Sequence, residues 1–112
     1  MEIEIGSSEG VTIIAIRGNV DGLTADKLLR TLTERVADGA SRLVADCAAL
    51  EYTSSAGLRS LLGGVKLARQ HGGDLRLAGV KPQVLRVLDL SGFTSILKYY
   101  PDVPNAVASF AA

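Results

Sequence analysis

The sequence predicts an α/β domain built on a mixed, mainly parallel sheet of about four to five strands. Two short apolar segments open the chain on either side of the turn-forming residues 7–10, and they predict an antiparallel hairpin. Beyond residue 23, segments with helical apolar spacing alternate with short apolar runs, which is typical of parallel strands joined by right-handed helical crossovers. The 112 residues are close to the commonest domain size, so we expect one domain over residues 1–112.

The hairpin strands and the first helix have distinct patterns. In residues 2–5 isoleucine alternates with glutamate, which predicts a half-solvated strand. Residues 11–16 are apolar at nearly every position, as in a strand buried on both faces. Thr24 is expected to cap the first helix, which Gly39 ends. The apolar positions of this helix are Ala25, Leu28, Leu29, Leu32 and Val36.

A short buried strand at residues 43–45 precedes a second helix that starts around Ser55. One face of this helix is apolar, with Leu58, Leu61, Leu62, Val65 and Ala68. Gly63 and Gly64 lie inside it, where each glycine costs about 1 kcal/mol relative to alanine. We therefore predict that the helix approaches the sheet closely at these two residues.

The last third of the chain continues the alternation. Residues 75–78 predict a strand, Pro82 suits the first turn of a helix that Gly92 ends, and residues 96–100 predict a last short strand or extended segment. Asp102 and Pro104 are expected to open a C-terminal helix that carries Val107 and Phe110.

Three consecutive hydroxyl residues, Thr53, Ser54 and Ser55, directly precede the second helix. A hydroxyl at this place can cap the helix, which is the commonest structural reason for it. The unpaired N–H groups and the helix dipole also suit an anion, so a phosphorylated serine would be accommodated here without unfolding of the domain. Chemistry alone leaves both interpretations open.

Four segments together are similar to one protein family. Residues 53–59, TSSAGLR, resemble the signature of STAS-domain anti-sigma factor antagonists. Residues 16–24, IRGNVDGLT, resemble the family's segment from a strand through an aspartate into a helix. Residues 75–82, LRLAGVKP, and 88–93, LDLSGF, resemble its later strand and helix. The resemblance implies a single STAS-like α/β domain with helices on one face of the sheet.

The resemblance also implies a switch. Antagonists of this family bind an anti-sigma factor that is also a Ser kinase, phosphorylation releases them, and a metal-dependent Ser/Thr phosphatase restores them. Counting back from Gly57 places the phosphate acceptor at Ser55, with Ser54 and Thr53 as alternatives. Many relatives carry aspartate at the position of Ser54, so this chain lacks a carboxylate that could orient a hydroxyl or contact the kinase. The implied partner-binding residues are Asp21, Ser54, Ser55, Ala56, Gly57 and Arg59.

Each of these residues also has a structural interpretation. A loop aspartate such as Asp21 commonly bonds to nearby backbone N–H groups. Gly57 is needed either for close approach of a partner or for tight packing of the helix on the sheet. Arg59 is either a partner contact or a solvated side chain.

Two other functions remain as alternatives. The first is a STAS scaffold that works without phosphorylation in a stressosome-like or transporter-associated complex. The second is an enzyme that uses Ser55 as a nucleophile. A serine nucleophile needs a positioned base, and His71 is about 20 Å away at the other end of the same helix. We therefore expect no enzyme activity. Phosphorylation in the native host separates the antagonist from the scaffold.

Composition excludes several further classes. Twelve basic and twelve acidic residues give zero formal charge without a basic run, so we expect no nucleic-acid partner. Apolar stretches are far shorter than the ~20 residues of a membrane span, and the N-terminus lacks a signal-peptide pattern, so we expect a cytoplasmic protein. Cys47 and His71 are the single cysteine and histidine, which argues against a disulfide, a Cys–His catalytic pair and a metal site. No cofactor is expected.

Overall fold

The computed structural model describes residues 1–111, in which an initial hairpin is followed by alternating helices and strands. The elements are β1 (Glu2–Ser8), β2 (Val11–Val20), α1 (Ala25–Ala37), β3 (Arg42–Asp46), β4 (Leu50–Thr53), α2 (Ser55–Gln70), β5 (Asp74–Ala78), α3 (Pro82–Leu90), a 3₁₀ turn (Phe93–Ser95), β6 (Tyr99–Tyr100) and α4 (Val103–Ala108). This order confirms the predicted α/β class.

The sheet of the described residues has six strands, one more than the four to five that were predicted. Its order is β1-β2-β3-β5-β6, and β4 pairs with β2 outside this path. β1 pairs antiparallel with β2, and the other pairs are parallel. The additional strand is β4, whose two exposed residues lie between two buried ones, so it lacks the alternation by which strands are recognised.

The hairpin turn is shorter than expected because both strands are longer. Glu9 and Gly10 alone connect the strands, with φ of 51° and 79°. A pair of positive φ values matches the two-residue turn that follows the twist of a hairpin. β2 also continues to Val20 rather than ending at residue 16, because its last residues, from Gly18, pair with β4.

Apolar side chains cover both faces of the sheet. Successive residues of a strand point to opposite faces, and in β3 Leu43 belongs to the larger core and Val44 to the smaller one. The larger core joins the sheet to α1, α2 and α3. The smaller core joins the opposite face to α4 through Ala106 and Val107. The structure therefore differs at α4 from the expectation that all helices lie on one face.

The two glycines inside α2 mark a close approach to another helix as well as to the sheet. A Cβ atom on Gly63 would lie 3.0 Å from Leu29 Cδ1 of α1. On Gly64 it would lie 2.7 Å from Leu32 Cδ1 and 3.0 Å from Leu75 Cδ2 of β5. The predicted contact with the sheet is confirmed at Gly64, whereas Gly63 makes room for α1.

Candidate functional site

The candidate site lies where two neighbouring parallel strands end. Val20 at the end of β2 pairs with Thr53 at the end of β4. The Ser54 amide then donates to the Val20 carbonyl oxygen at 2.8 Å. The loop that starts at Asp21 and the start of α2 therefore lie side by side.

The three consecutive hydroxyl residues have three different environments. Ser54 is the N-cap of α2, and its Oγ accepts from the Gly57 amide at 3.2 Å. Thr53 is 1% exposed, and its hydroxyl donates to the Ser54 carbonyl oxygen at 3.2 Å. Ser55 is the first residue of α2 and is exposed. Capping therefore falls to Ser54, and Ser55 is the exposed hydroxyl residue of the three.

Serine at position 54 keeps the structural role that an aspartate would have there. Both residue types are strong N-caps because their side-chain oxygens accept from the first turn of the helix. With serine where the resemblance implies aspartate in many relatives, the start of α2 is still capped.

Gly57 is a packing residue. A Cβ atom at this position would lie 2.8 Å from Val20 Cγ1 and closer still to Thr53 Oγ1. Of the two interpretations of this glycine, tight packing of α2 on the strand ends is the one for which the structure gives a reason. Its neighbour Ala56 is half-buried and packs on the larger core.

Asp21, rather than Thr24, caps the turn that leads into α1. Asp21 Oδ1 accepts from the Leu23 amide at 2.9 Å and from the Thr24 amide at 3.0 Å. In return, Thr24 Oγ1 accepts from the Asp21 amide at 2.9 Å. This reciprocal pattern is a capping box that begins three residues earlier than the predicted cap.

The same hydrogen bonds keep the Asp21 carboxylate charged. Bonds from the Thr24 hydroxyl, and next from the Thr24 amide, lower the pKa of Asp21 below its ordinary value. Asp21 is also exposed. The site therefore presents a fixed negative charge beside the start of α2.

Two exposed apolar side chains border the site, and neither was predicted from the sequence. Leu23 lies in the capping turn and is 93% exposed, and Tyr52, next to Thr53, is 51% exposed. Arg59 lies one turn beyond Ser55 on α2 and is exposed as expected. No signal in the sequence marked Leu23 as exposed, because an apolar residue directly before an expected helix cap is also typical of a staple that packs on the first turns of the helix.

Ser55 and His71 do not form a catalytic pair, and the Cys47 thiol is buried. His71 caps the C-terminal end of α2, so Ser55 and His71 lie at opposite ends of one helix. Cys47 is 1% exposed, and burial, with a further contribution from Asp46, raises the pKa of its thiol to about 12. A thiol of this kind is unreactive.

Within residues 1–111 no group of three or more histidine, cysteine, aspartate or glutamate side chains is arranged to hold a metal ion. Over the same residues, no helix has both the length and the apolar character that a membrane crossing requires.

The fold and the site define a class of protein: a small α/β domain in which an exposed serine begins a helix beside a loop that carries a charged aspartate. The model of the family described as STAS domain matches residues 2–106. The chain belongs to the STAS domain family.

Two relatives in sequence are similar over nearly the full chain. A candidate anti-sigma factor antagonist, BtrV of Bordetella bronchiseptica, is 36% identical over 98% of this chain and 95% of its own length. The anti-sigma F factor antagonist of Paenibacillus polymyxa is 32% identical over 96% of this chain and 92% of its own length.

The Bacillus anti-sigma factor antagonist SpoIIAA has a similar fold in two solved forms. Its unphosphorylated form has a TM-score of 0.76 at 12% identity and covers 98% of this chain and 97% of its own. Its phosphorylated form has a TM-score of 0.73 at 14% identity and covers 96% of this chain and 98% of its own. At these identities the likeness concerns the fold.

Proposed function

We propose that this chain is an anti-sigma factor antagonist that is switched off by phosphorylation at Ser55. Unphosphorylated, it binds an anti-sigma factor that is also a Ser kinase, and a sigma factor is freed. A metal-dependent Ser/Thr phosphatase reverses the modification. The chain is thus a ligand and a substrate, not an enzyme, and it works in the cytoplasm. The names of its relatives from Bordetella and Paenibacillus support this role.

The exposure of Ser55 at the first position of α2 carries the proposal. A kinase must reach the hydroxyl that it modifies. Thr53 is buried, and the Ser54 hydroxyl is occupied by the cap. Ser55 is exposed, and the cap does not depend on it, so it can be modified while the helix remains formed.

The start of α2 also suits the product of the reaction. The first N–H groups of a helix lack intrahelical partners, and Ser54 occupies the one of Gly57. Those of Ser55 and Ala56 remain as donors for an anion. A phosphoserine brings about −1.5 to −2 charges, and Arg59, four residues further along the helix, is within reach of that charge.

Release follows from the charge. In the unphosphorylated chain, the surface at the start of α2 carries the neutral Ser55 and, on the neighbouring loop, the Asp21 carboxylate. A partner that binds this surface must bury Ser55. A dianion in the same place must lose its hydration and adds to the negative charge of Asp21. A cost of a few kcal/mol weakens binding by about 100-fold or more. The backbone does not need to move.

Phosphopeptide mapping tests the site. The protein is incubated with ATP and lysate of its native host, in one arm with a metal chelator to silence metal-dependent phosphatases and in another with Mg²⁺ restored for the kinase. We expect one phosphate at Ser55, present in Ser54→Ala and absent from Ser55→Ala. No phosphate in any arm, with the kinase shown to be active, would favour the constitutive scaffold.

Binding to purified anti-sigma factors of the host tests the partner. Ser55→Ala should bind its cognate kinase as the unmodified wild type does and stay bound in the presence of ATP, whereas Ser55→Asp should bind poorly. Equal binding of both variants to that kinase would show that Ser55 is not the switch.

A further inference from the structure

Leu23 is nearly fully exposed although it is a large apolar residue. At 93% it has the highest exposed fraction among the exposed large apolar residues of the described chain. The others are Ile5, Tyr52, Leu90, Ile96 and Tyr99. A single exposed leucine is ordinary on a protein surface, so its exposure alone assigns it no role. Two further observations do.

The first observation is that the backbone of Leu23 is held in place. Its amide donates to Asp21 Oδ1 at 2.9 Å, and the flanking Asp21 and Thr24 are joined by reciprocal hydrogen bonds. A side chain on a rigid turn loses less conformational entropy on binding than one on a mobile loop. The turn therefore holds the backbone of Leu23 in place before a partner binds.

The second observation is the position of Leu23. It lies three residues after Val20, whose carbonyl oxygen accepts from the Ser54 amide, and Tyr52 lies one residue before Thr53, which pairs with Val20. Leu23 and the half-exposed Tyr52 thus border the start of α2. The exposed leucine therefore lies on the loop beside the start of α2, which is the surface that would meet the kinase.

We propose that Leu23 is an apolar anchor that enters a leucine-sized pocket on the anti-sigma factor, beside the surface that receives Ser55. This inference rests on the function proposed above. The occupant is the anti-sigma factor rather than a second copy of this chain, because the anchor stands next to the Asp21 carboxylate. Two copies meeting here would bring two Asp21 charges together, whereas a partner with a neutral rim around its pocket avoids that repulsion.

The anchor contributes to binding whether or not phosphate is transferred. Removing it should weaken the ground state and the transition state of Ser55 phosphorylation equally, which raises KM and leaves kcat unchanged. Phosphorylation acts instead at Ser55. Leu23 would therefore determine how tightly the chain binds the anti-sigma factor, and the phosphorylation of Ser55 would determine whether the complex is formed or released.

Calorimetric titration of purified anti-sigma factors of the host tests the anchor, with wild type, Leu23→Ser, Ile5→Ser and Ser55→Asp. Ile5 is a matched control, since it is an exposed aliphatic residue of β1 paired with Ile14, near the other end of β2. We expect Leu23→Ser to raise Kd about 10- to 100-fold, the loss that follows from leaving a buried leucine contact unmade. Ile5→Ser should bind like wild type.

The outcomes separate this inference from the proposed function. Wild-type affinity in Leu23→Ser, with Ser55→Asp weakened, overturns the anchor and leaves the switch intact. Equal losses of affinity in Leu23→Ser and Ile5→Ser also overturn it. So does a lower kcat with an unchanged KM when the same anti-sigma factor phosphorylates Leu23→Ser at Ser55. A wild-type chain that binds none of the anti-sigma factors overturns the proposed function, and a Leu23→Ser chain that alone loses self-association shows that the occupant is a second copy.

Discussion

The Ser54 amide donates to the Val20 carbonyl oxygen at 2.8 Å, immediately beyond the last paired residues of β2 and β4. This bond extends the ladder of the two strands by one step into the loops. It fixes the cap of α2 against the strand that leads to Asp21. The exposed serine, the charged aspartate and the exposed leucine are thereby held on one rigid frame.

The adjacent serines at positions 54 and 55 should differ in their effect on stability. Ser54→Ala removes the side chain that accepts from the Gly57 amide and should lower the free energy of unfolding by about 1 kcal/mol. Ser55→Ala removes an exposed hydroxyl that is not the cap and should change it by less than about 0.5 kcal/mol. Urea denaturation of both variants measures the difference, and equal losses would mean that the cap is not at Ser54.

Gly57→Ala should destabilise the domain although alanine favours helices. The added Cβ would lie 2.8 Å from Val20 Cγ1, so the strand end or the helix must shift, at a cost of about 1 to 3 kcal/mol. Gly6→Ala is the control, because a Cβ there meets nothing within 4 Å and the φ of Gly6 is not positive. A Gly57→Ala chain as stable as wild type in urea would contradict the packing described here.

The ionisation of Asp21 should depend on Thr24. Because hydrogen bonds from Thr24 lower the pKa of Asp21 in the folded chain, this carboxylate contributes stability above its ordinary value of 3.8, and the contribution is lost as pH falls through the folded pKa. Thr24→Val removes the hydroxyl, so the pKa of Asp21 should rise toward 3.8. Titration of the side-chain carboxyl resonance by NMR measures this, and an unchanged pKa would show that the hydroxyl does not matter.

The two arginines that contact Asp74 should contribute unequally. The Asp74 side chain is 7% exposed and pairs with Arg69, at 42%, and with Arg76, at 14%. Arg76 also bonds to Ser109 Oγ at 2.8 Å and lies over the Phe110 ring at 4.0 Å. Asp74→Ala should cost about 3 kcal/mol because it leaves a largely buried guanidinium without its partner.

Comparison of the two arginine variants checks this assignment. Arg69→Ala should cost less than Arg76→Ala, since its ion pair is half-exposed and its second bond, to the Ile96 carbonyl oxygen, is exposed to water as well. Equal unfolding free energies for the two variants in urea would contradict the difference in burial.

The patterns that depend on local chemistry were predicted well from the sequence. The helices α1, α2 and α3 each bury their apolar stripe in the larger core, and Asp102 caps α4 through the Asn105 amide at 2.9 Å. The helix α4 ends at Ala108, so Phe110 lies beyond it rather than on it as predicted. Gly92 has a φ of 74° just beyond the end of α3. These features follow from periodicity and from the preferences of single residues.

The features that depend on contacts distant in sequence were missed. One local feature was missed as well: Thr24 was the expected cap because it directly precedes the apolar positions of α1, and the reciprocal pair of Asp21 and Thr24 was not recognised as a capping box. Gly63 was assigned to the sheet because the sequence does not say that α1 crosses α2 at Leu29. The position of α4 depends on which face of β3 carries Val44, which no local pattern decides.

The burial of Cys47, the one cysteine of this chain, has a consequence for how an oxidative signal can reach the protein. Cys47 is sealed in the larger core, and oxidation proceeds through the thiolate, which a pKa of about 12 makes rare at neutral pH. Peroxide or disulfide stress therefore cannot act on this cysteine while the domain is folded. The cysteine thus gives the folded chain no direct sensor of oxidants, and a redox signal has to reach it through another protein.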